Sequence, residues 1–391
     1  MRPKVIFLFA DDRFFWSHRL SVARAALKAG YEVIVATGVY KYGREIQQEG
    51  FRLIPITLTR NNLSPLDELR ALYQVRQIYR REKPDIVHHV ALKAVLCGSV
   101  ASLGLNEIPT VNALTGLGYL VASKSQKARL LGLIIWRALR FLLHRDHQAV
   151  LVENADDKRL LVRRVGVSPE QISITRGSGV DIDHFQPQPE PSNIPVVVLA
   201  SRMLWIKGIR EFVEAAELLG RKGLKARFVL AGGSDPNNPS CVPPQQLADW
   251  QHSGVVEWWG HQQDMLKVFR QANLICLPSH GGEGVPKVLM EAAACGRAVV
   301  TTNVPGCRDI IRQGVNGIVV EPRDVPALAL AIEELLNDPE RRCTMGQESR
   351  RIAVGEFSEQ SVISETLNLY NKLLEPRSTA PQAVTGRARE A

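Results

Sequence analysis

The chain has 391 residues, of which 45% are hydrophobic and 23% charged, and its net charge is +9. This length favours about two domains, each large enough for its own core, and the composition is typical of soluble globular proteins. The six cysteines are scattered without C-x-x-C spacing, so neither a zinc site nor a disulfide framework is predicted. No uncharged stretch reaches membrane-spanning length.

Short apolar runs alternate with helical patterns along the chain, which predicts βα units and parallel sheets. In the first half, the predicted strands are residues 5–9, 32–36, 52–56, 85–88 and 149–152. Residues 66–81 have apolar positions at helical spacing and are predicted to form a crossover helix. A second series of strands is predicted at residues 196–200, 227–231, 255–258, 274–277, 298–301 and 318–320.

Residues 186–195 separate the two series and hold four prolines. Such a segment cannot continue a helix or a central strand, so it is the predicted linker. The predicted fold class is therefore α/β, with two doubly wound, Rossmann-like domains facing a cleft. We expect an N-terminal domain over 1–190, a C-terminal domain over 191–375 whose last helix returns to the first, and a disordered tail over 376–391. A ligand would bind at the carboxyl ends of the strands.

The positive charge is concentrated in the first domain, because residues 1–190 carry the whole net charge of +9. Residues 130–143 are very apolar, contain Arg137 and Arg140, and lie in a stretch without carboxylates between Glu107 and Asp146. A basic amphipathic segment of this kind is typical of a helix lying in a membrane interface, and its alternative is a core helix. An anionic membrane surface is the predicted partner rather than nucleic acid, since no nucleic-acid recognition module is visible. The apolar run near Met1 is too short for a signal peptide, so we expect a cytoplasmic protein, peripheral at the inner face of the cell membrane.

A Gly-rich loop after the strand at 274–277 leads to the most informative pair in the chain, Glu283 and Glu291. A loop that leaves a strand and opens a helix presents backbone N–H groups and a positive helix end to an anion. Pro286 suits the first helical turn, because its missing N–H would have no partner there. The two glutamates are separated by up to roughly 12 Å at about 1.5 Å per residue. This span suits a ligand with an anionic middle and hydroxyl-rich ends, such as a sugar nucleotide.

Four features of the second half resemble family-4 glycosyltransferases of the glycosyltransferase B fold. They are the Arg202–Lys207 pair, the strand–glycine turn at 228–233, the Glu283-x7-Glu291 motif, and the segment at 177–185 that ends the first domain. The resemblance implies a retaining, metal-independent hexosyltransferase, in which positive side chains and a helix terminus stabilise the departing diphosphate of a nucleotide-sugar, with a UDP-sugar as the expected donor.

A narrower resemblance covers the first half and points to bacterial transferases that extend undecaprenyl-diphosphate-linked oligosaccharides in surface polysaccharide or glycan assembly. It is carried by residues 83–89, Lys93, 114–119, Ser17-His18-Arg19, Pro286-Lys287 and 304–308. The chain departs from the pattern at Asp11-Asp12-Arg13, where paired glycines are usual, and at Val90, where relatives have a second histidine. The implied acceptor is a lipid-linked saccharide.

The predicted site residues follow from these motifs. The predicted catalytic residues are Arg202, Lys207, Glu283, His88 and His89. The predicted substrate-binding residues are Glu291, Gly281, Gly282, Gly284, Val285, Pro286, Lys287, Thr115, Gly116 and Gly118. Arginine offers a forked contact to phosphate and lysine a point charge. By the resemblance, Glu291 accepts hydrogen bonds from a ribose diol and Glu283 lies near the donor sugar.

For His88 and His89, the sequence leaves two alternatives open. The side chain orients the donor sugar, or it is packed at the end of a strand.

No metal and no cofactor are predicted. Asp181-Ile-Asp183 has the Asp-x-Asp spacing, but it lies beside a glycine turn without a second ligand cluster, so these residues are predicted to form a turn or cap. The alternative functions are the same chemistry on a soluble acceptor, a nicotinamide-dependent oxidoreductase, which lacks its G-x-G-x-x-G motif here, and a non-catalytic scaffold.

Overall fold

The protein is described by a computed structural model that covers residues 2–59, 64–105, 107–117, 126–236 and 238–375. This part of the chain contains two parallel β-sheets with helices packed against them. The doubly wound α/β fold class predicted from the sequence is confirmed. The predicted tail, 376–391, lies outside the described residues.

Within the described ranges, the first sheet is built from seven strands. They are β1 (Lys4–Leu8), β2 (Glu32–Thr37), β3 (Arg52–Pro55), β4 (Ile86–Val90), β5 (Thr110–Leu114), β6 (Gln148–Val152) and β7 (Ile172–Ile174). Their order across the sheet is β3-β2-β1-β4-β5-β6-β7, and all pairs are parallel. The reversal of strand order beside β1 is the type of position at which open α/β sheets bind ligands.

Helices cover both faces of this sheet. They are α1 (Asp12–His18), α2 (Leu20–Lys28), α3 (Gly43–Gln48), α4 (Pro65–Glu82), α5 (Leu92–Ala101), α6 (Gln126–Leu142) and α7 (Ala155–Arg164). Alternate residues of β1 enter different cores, because side chains along a strand point to opposite faces. Phe7 packs in the core beside α2, whereas Ile6 and Leu8 pack beside α4 and α5.

The second sheet has six strands. They are β8 (Val196–Ala200), β9 (Arg227–Ala231), β10 (Glu257–Gly260), β11 (Leu274–Leu277), β12 (Ala298–Thr302) and β13 (Gly317–Val320). Their order is β10-β9-β8-β11-β12-β13. Strand β8 is fully buried along its length, as expected for a parallel strand covered on both faces.

The remaining helices follow the strands of the second sheet. They are α8 (Ile209–Arg221), α9 (Pro244–His252), α10 (Met265–Arg270), α11 (Lys287–Ala294), α12 (Cys307–Ile310), α13 (Val325–Asn337), α14 (Pro339–Glu356) and α15 (Glu359–Leu374). The last of these, α15, packs against α2 and contributes Val362 and Tyr370 to the core of the first sheet. The C-terminal helix therefore connects the two sheets.

The element boundaries differ from the predicted ones in three places. Strands β5 and β7 were not predicted. Strand β10 begins two residues later than the predicted strand at 255–258, because Gly254 has a left-handed φ of 75° and the chain must turn before it pairs with β9. The predicted strand at 85–88 continues to Val90 as the central strand β4, so both histidines pair inside the sheet rather than at the end of a strand.

Candidate functional site

The Gly-rich segment at residues 280–286, here called the glutamate loop, connects β11 to α11. Gly281 and Gly282 have φ values of 131° and 75°, a backbone region that favours glycine. Helix α11 begins at Lys287, with Pro286 as its N-cap. The proline therefore lies one residue before the first turn, not inside it as predicted, since it is still extended with ψ of 122°. The loop turns sharply into the helix at the carboxyl edge of the second sheet.

Lys207 and Glu283 form a close ion pair at this edge, with 2.5 Å between Nζ and Oε1. Ser279 Oγ donates to the same carboxylate oxygen at 2.7 Å. Gly208, which follows the lysine, is packed so tightly that a Cβ there would lie 2.0 Å from the Pro278 carbonyl oxygen. The glycine therefore allows the lysine turn to lie directly against the chain that enters the glutamate loop.

Arg202 follows β8 and is the most accessible of the predicted cations at this edge, with 45% of its side chain exposed. Its Nη1 donates to Asp235 Oδ2 at 2.9 Å. The close approach of Gly232 to the Ser201 carbonyl brings the segment after β9 beside it. A guanidinium has five N–H donors, so one ion pair leaves further donors for an anion.

Glu291 lies on α11 and is buried, with 7% of the residue exposed. Burial raises the pKa of Glu291 to about 7; Lys287 opposes this shift, while Glu359 adds to it. The lysine Nζ is 3.8 Å from the Glu291 carboxylate and donates to the Ser17 carbonyl at 2.8 Å. Helix α11 thus begins in contact with the first domain, next to a carboxyl group that titrates near neutral pH.

The two histidines of β4 point to opposite faces of the first sheet. His89 is fully buried, and both ring nitrogens have partners at 2.8 Å: Nε2 contacts the Tyr79 hydroxyl and Nδ1 contacts Asn112 Oδ1. Burial lowers the pKa of His89 to about 4, against the opposing effect of the Asn112 contact. These contacts match those of a packed core histidine.

His88 is also fully buried, and its Nδ1 contacts the Tyr370 hydroxyl at 2.6 Å. Its Nε2 has no partner among the described residues. Burial lowers the pKa of His88 well below its ordinary value, and the nearby Arg19 and His89 add to this effect. Of the two histidines, His88 therefore keeps a ring nitrogen free for a hydroxyl group.

The loop after β5 approaches the glutamate loop from the first domain. Gly116 has a φ of 95°, and a Cβ there would lie 3.0 Å from Gly284 N and 3.2 Å from Gly282 O. Thr115 is half-buried beside it, and the predicted contact Gly118 lies outside the described residues. The two predicted substrate loops are therefore in contact, backbone to backbone.

The structure also brings in residues that the sequence reasoning missed. Glu153 Oε2 accepts a hydrogen bond from Val285 N at 3.0 Å, and Glu153 Oε1 lies 3.8 Å from Arg19 Nη2. One backbone N–H that we expected to be free for an anion is thus occupied by a carboxylate of the first domain. The available signal was the position of Glu153 directly after a buried strand, where ligand-binding residues of parallel sheets lie.

Asp181 behaves as predicted for a turn residue. Its Oδ1 accepts hydrogen bonds from Asp183 N at 3.0 Å and His184 N at 2.9 Å. Among the residues that the structure describes, no group of three or more histidine, cysteine, aspartate or glutamate residues is placed to hold a metal ion.

Helix α6 exposes a broad apolar face. The exposed residues are Leu130, Leu131, Leu133, Ile134 and Phe141, each between 52% and 69% exposed. Arg137 and Arg140 are exposed among them, whereas Leu139, Leu142 and Leu143 are buried in the core. The segment is thus partly a core helix and partly an apolar surface. Within the described ranges, no helix has the length and apolar character needed to cross a bilayer.

Helix α4 exposes a second apolar patch in its first half. Leu66, Leu69 and Tyr73 are 78%, 63% and 64% exposed, at the spacing of one helix face. Because α4 follows β3 and α6 follows β5 in a parallel sheet, both helices begin at the edge of the sheet that faces the glutamate loop. The α4 patch and the first part of the α6 patch, Leu130 to Ile134, therefore lie toward the same edge, whereas Phe141 lies at the far end of α6.

Comparisons with known proteins match both halves of the chain. Residues 4–154 match the family described as glycosyl transferase 4-like, and residues 194–338 match the family described as glycosyl transferases group 1. A relative from Campylobacter jejuni is the N,N'-diacetylbacillosaminyl-diphospho-undecaprenol alpha-1,3-N-acetylgalactosaminyltransferase. It is 26% identical over 95% of this chain and 99% of its own length. The capsular polysaccharide biosynthesis glycosyltransferase CapM of Staphylococcus aureus is also 26% identical, over 85% of this chain and 88% of its own.

Solved structures agree with the fold. Sucrose-phosphate synthase from Thermosynechococcus elongatus superposes with a TM-score of 0.79 at 19% identity, covering 95% of this chain and 99% of its own. The Anabaena protein HepE in complex with UDP-glucose superposes with a TM-score of 0.72 at 20% identity, covering 93% of this chain and 99% of its own. At these identities, the likeness establishes the glycosyltransferase B fold and nothing finer.

Proposed function

We propose that this glycosyltransferase of the glycosyltransferase B fold moves a sugar from a UDP-sugar to a lipid-diphosphate-linked saccharide, with retention of anomeric configuration and without a metal. The observation that carries the proposal is the cluster at the edge of the second sheet. There Arg202 and the Lys207–Glu283 pair lie beside the glutamate loop. The cations can bind a diphosphate, and the two glutamates can accept hydrogen bonds from the hydroxyl groups at the two ends of a sugar nucleotide.

The donor would bind along the second domain. Arg202 and Lys207 would hold the diphosphate, Glu291 would accept hydrogen bonds from the ribose, and Glu283 would face the sugar. Lys207 lies 2.5 Å from Glu283, so the lysine offsets the repulsion between that carboxylate and the phosphates. The UDP and UDP-glucose complexes of HepE support a uridine nucleotide.

In the transfer step, the bond between the anomeric carbon and the phosphate oxygen breaks, and the bond to the acceptor hydroxyl oxygen forms on the same face. The acceptor proton passes to the departing phosphate oxygen, and the electron pair of the broken bond stays on the diphosphate. Arg202 and Lys207 stabilise the charge that develops there, in the way that preorganised donors lower a barrier. His88, with its free Nε2, would orient a hydroxyl group of the donor sugar.

The acceptor would bind the first domain, at the loop containing Thr115 and Gly116. The Campylobacter relative, named for a diphospho-undecaprenol acceptor, supports a lipid-linked saccharide as the substrate. The apolar faces of α4 and α6 and their arginines support docking on an anionic membrane. The protein would thus act at the inner face of the cell membrane, as a peripheral enzyme of surface glycan assembly.

A transfer assay tests the proposal. Wild-type protein is incubated in EDTA with UDP- and GDP-sugars and a panel of polyprenyl-diphosphate-linked saccharides, and the anomeric configuration of the product is read by NMR. We expect transfer from a UDP-sugar, an unchanged rate in EDTA and retained configuration. Transfer only to water-soluble acceptors would refute the lipid acceptor. No transfer from any nucleotide-sugar, or loss of activity in EDTA, would refute the mechanism.

A further inference from the structure

Residues 153–157, here called the acidic turn, follow β6 at the cleft and include the first residues of α7. Asn154 caps the helix by accepting a hydrogen bond from Asp157 N at 2.8 Å. Each of the three carboxylates of the turn has a different partner outside it. Asp157 Oδ2 also accepts from Asn154 Nδ2 at 3.1 Å, and Asp156 Oδ1 also accepts from Arg159 of α7 at 2.8 Å. The cap therefore fixes a short segment whose acidic side chains reach outward in several directions.

Glu153 reaches the glutamate loop. Its Oε2 accepts from Val285 N at 3.0 Å, and a Cβ on Gly284 would lie 1.8 Å from that oxygen. The carboxylate therefore fills the loop's turn, and Gly284 is required there because any side chain would displace it. Arg19 supplies the counter-charge to the other carboxylate oxygen of Glu153. Both side chains are buried, with 7% of Glu153 and 2% of Arg19 exposed.

The other two carboxylates extend the same pattern. Asp157 Oδ2 accepts from Leu117 N at 3.2 Å, which holds the loop after β5. Asp156 Oδ2 lies 2.6 Å from Arg308 Nη2, on the segment after β12 in the second domain. One turn thus contacts both loops that we assign to the substrates and a third segment across the cleft.

We infer that the acidic turn sets the distance between the donor loop and the acceptor loop, with Glu153 as the positioning residue. This inference rests on the proposed function and adds a role to residues outside the donor-binding cluster. Glu153 acts through the Val285 amide and does not touch the phosphates. Its loss leaves Arg202, Lys207 and Glu291 in place but releases the glutamate loop from the first domain. Turnover should then fall while donor affinity is retained, because misplacement by about 1 Å can cost roughly 100-fold in rate.

The experiment compares Glu153→Ala, Glu153→Gln and the control Glu49→Gln, which alters an exposed ion pair with Arg24 in the same domain. We expect kcat to fall roughly 10- to 100-fold in Glu153→Ala, with the Kd for UDP changed by less than about twofold. Glu153→Gln keeps an oxygen for the Val285 N–H, so its kcat should lie between those of the alanine variant and the wild type. An unchanged kcat in Glu153→Ala would overturn the inference. Tighter UDP binding by this variant would also overturn it, because Glu153 would then compete with the donor.

A second variant separates positioning from stability. The double substitution Arg19→Met with Glu153→Met replaces the buried ion pair by apolar groups of similar length, a change that often preserves stability. We expect the melting temperature of the double variant to be closer to that of the wild type than the melting temperature of Glu153→Ala is. Its kcat should stay as low as that of Glu153→Ala. Recovery of both would show a structural role only and would contradict the inference.

The test also distinguishes the inference from the proposed function. If the wild type transfers no sugar to any acceptor, the proposed function fails, and the turn is tested by X-ray scattering instead. In that case Glu153→Ala should increase the radius of gyration of the protein relative to the wild type and Glu49→Gln. An unchanged scattering curve would then overturn the inference by itself.

Discussion

Two arginines beside the cleft differ in their surroundings. Arg202 pairs with Asp235 at the edge of the second sheet, and their side chains are 45% and 30% exposed. Arg19 pairs with Glu153 at the edge of the first sheet, where the side chains are 2% and 7% exposed. An exposed pair can exchange its partner for a ligand, because water already replaces part of the interaction. Separating a buried pair costs several kcal/mol, about 3–5, because each charge is left buried without a partner, so such a pair is suited to fixing distances.

The largest expected effect comes from breaking the buried pair. Arg19→Met should lower the free energy of unfolding by about 3–5 kcal/mol, because it leaves the Glu153 carboxylate buried without a counter-charge. Arg202→Met should change it by no more than about 0.5 kcal/mol, as at most surface positions. Urea denaturation of both variants checks this. Equal losses of stability would remove the distinction between the two pairs.

The next effect concerns the chemistry of the second domain. Lys207→Ala should lower kcat by about 100- to 1000-fold, as the loss of one preorganised donor does elsewhere. Lys222→Ala is the matched control, since Lys222 pairs with Glu333 on the surface of the same domain. Steady-state kinetics with saturating donor measures both. If the two lysine variants retain the same rate, Lys207 has no part in catalysis.

The residues that sequence reasoning could group follow the same division between the two domains. In the second domain, the grouping of the glutamate-loop glycines with Glu283, Lys287 and Glu291 was predictable, because their spacing reflects one strand–loop–helix unit, whereas Lys207 lies 76 residues before Glu283 and its place beside the loop was expected from the resemblance alone. Glu153 was not predictable, because its partners Arg19 and Val285 are far away in the chain and only the packing of two sheets brings them together. The histidines show the same limit. Strand alternation places His88 and His89 on opposite faces, but Tyr370, which marks the face of His88, comes from the last helix.

A smaller effect is the pH dependence of donor binding. Burial raises the pKa of Glu291 to about 7, so its ionised fraction increases from pH 6 to pH 8. In the proposed role only the ionised form of Glu291 accepts two hydrogen bonds from the ribose, so the Kd for UDP should fall about tenfold over this range. Calorimetric titrations at several pH values check this, and Glu291→Gln should show a smaller pH dependence, limited to the ionisation of the terminal phosphate of UDP at about pH 6. A wild-type Kd that is constant, or that increases with pH, would contradict the ribose-binding role.

The raised pKa of Glu291 also predicts a stability change of known sign. A carboxyl group with a raised folded-state pKa stabilises the fold at low pH, and this contribution is lost as the pH rises through about 7. Glu291→Gln should therefore be more stable than the wild type at pH 8 but not at pH 4. Thermal melts at the two pH values measure the difference, and a variant that is less stable at pH 8 would contradict the assignment.

The smallest effect is expected at the apolar and basic surface of α6, which we propose to dock on the membrane. Arg137→Gln with Arg140→Gln should weaken binding to anionic vesicles by roughly fivefold per residue, since each interfacial cation contributes about 1 kcal/mol. Arg221→Gln with Lys222→Gln, at the C-terminal end of α8 in the second domain, is the charge-matched control. Flotation with phosphatidylglycerol vesicles measures the binding. Equal weakening by both pairs would mean that net charge, rather than the surface of α6, controls it.

The most direct measurement is a calorimetric titration of UDP into wild-type protein and Arg202→Met, both in EDTA. If cations of the second domain hold the diphosphate, the wild type binds UDP without a divalent ion and the variant binds at least about tenfold more weakly, as expected for the loss of a charged hydrogen bond. Equal affinities for the two proteins, or wild-type binding that requires a divalent ion, would contradict this account.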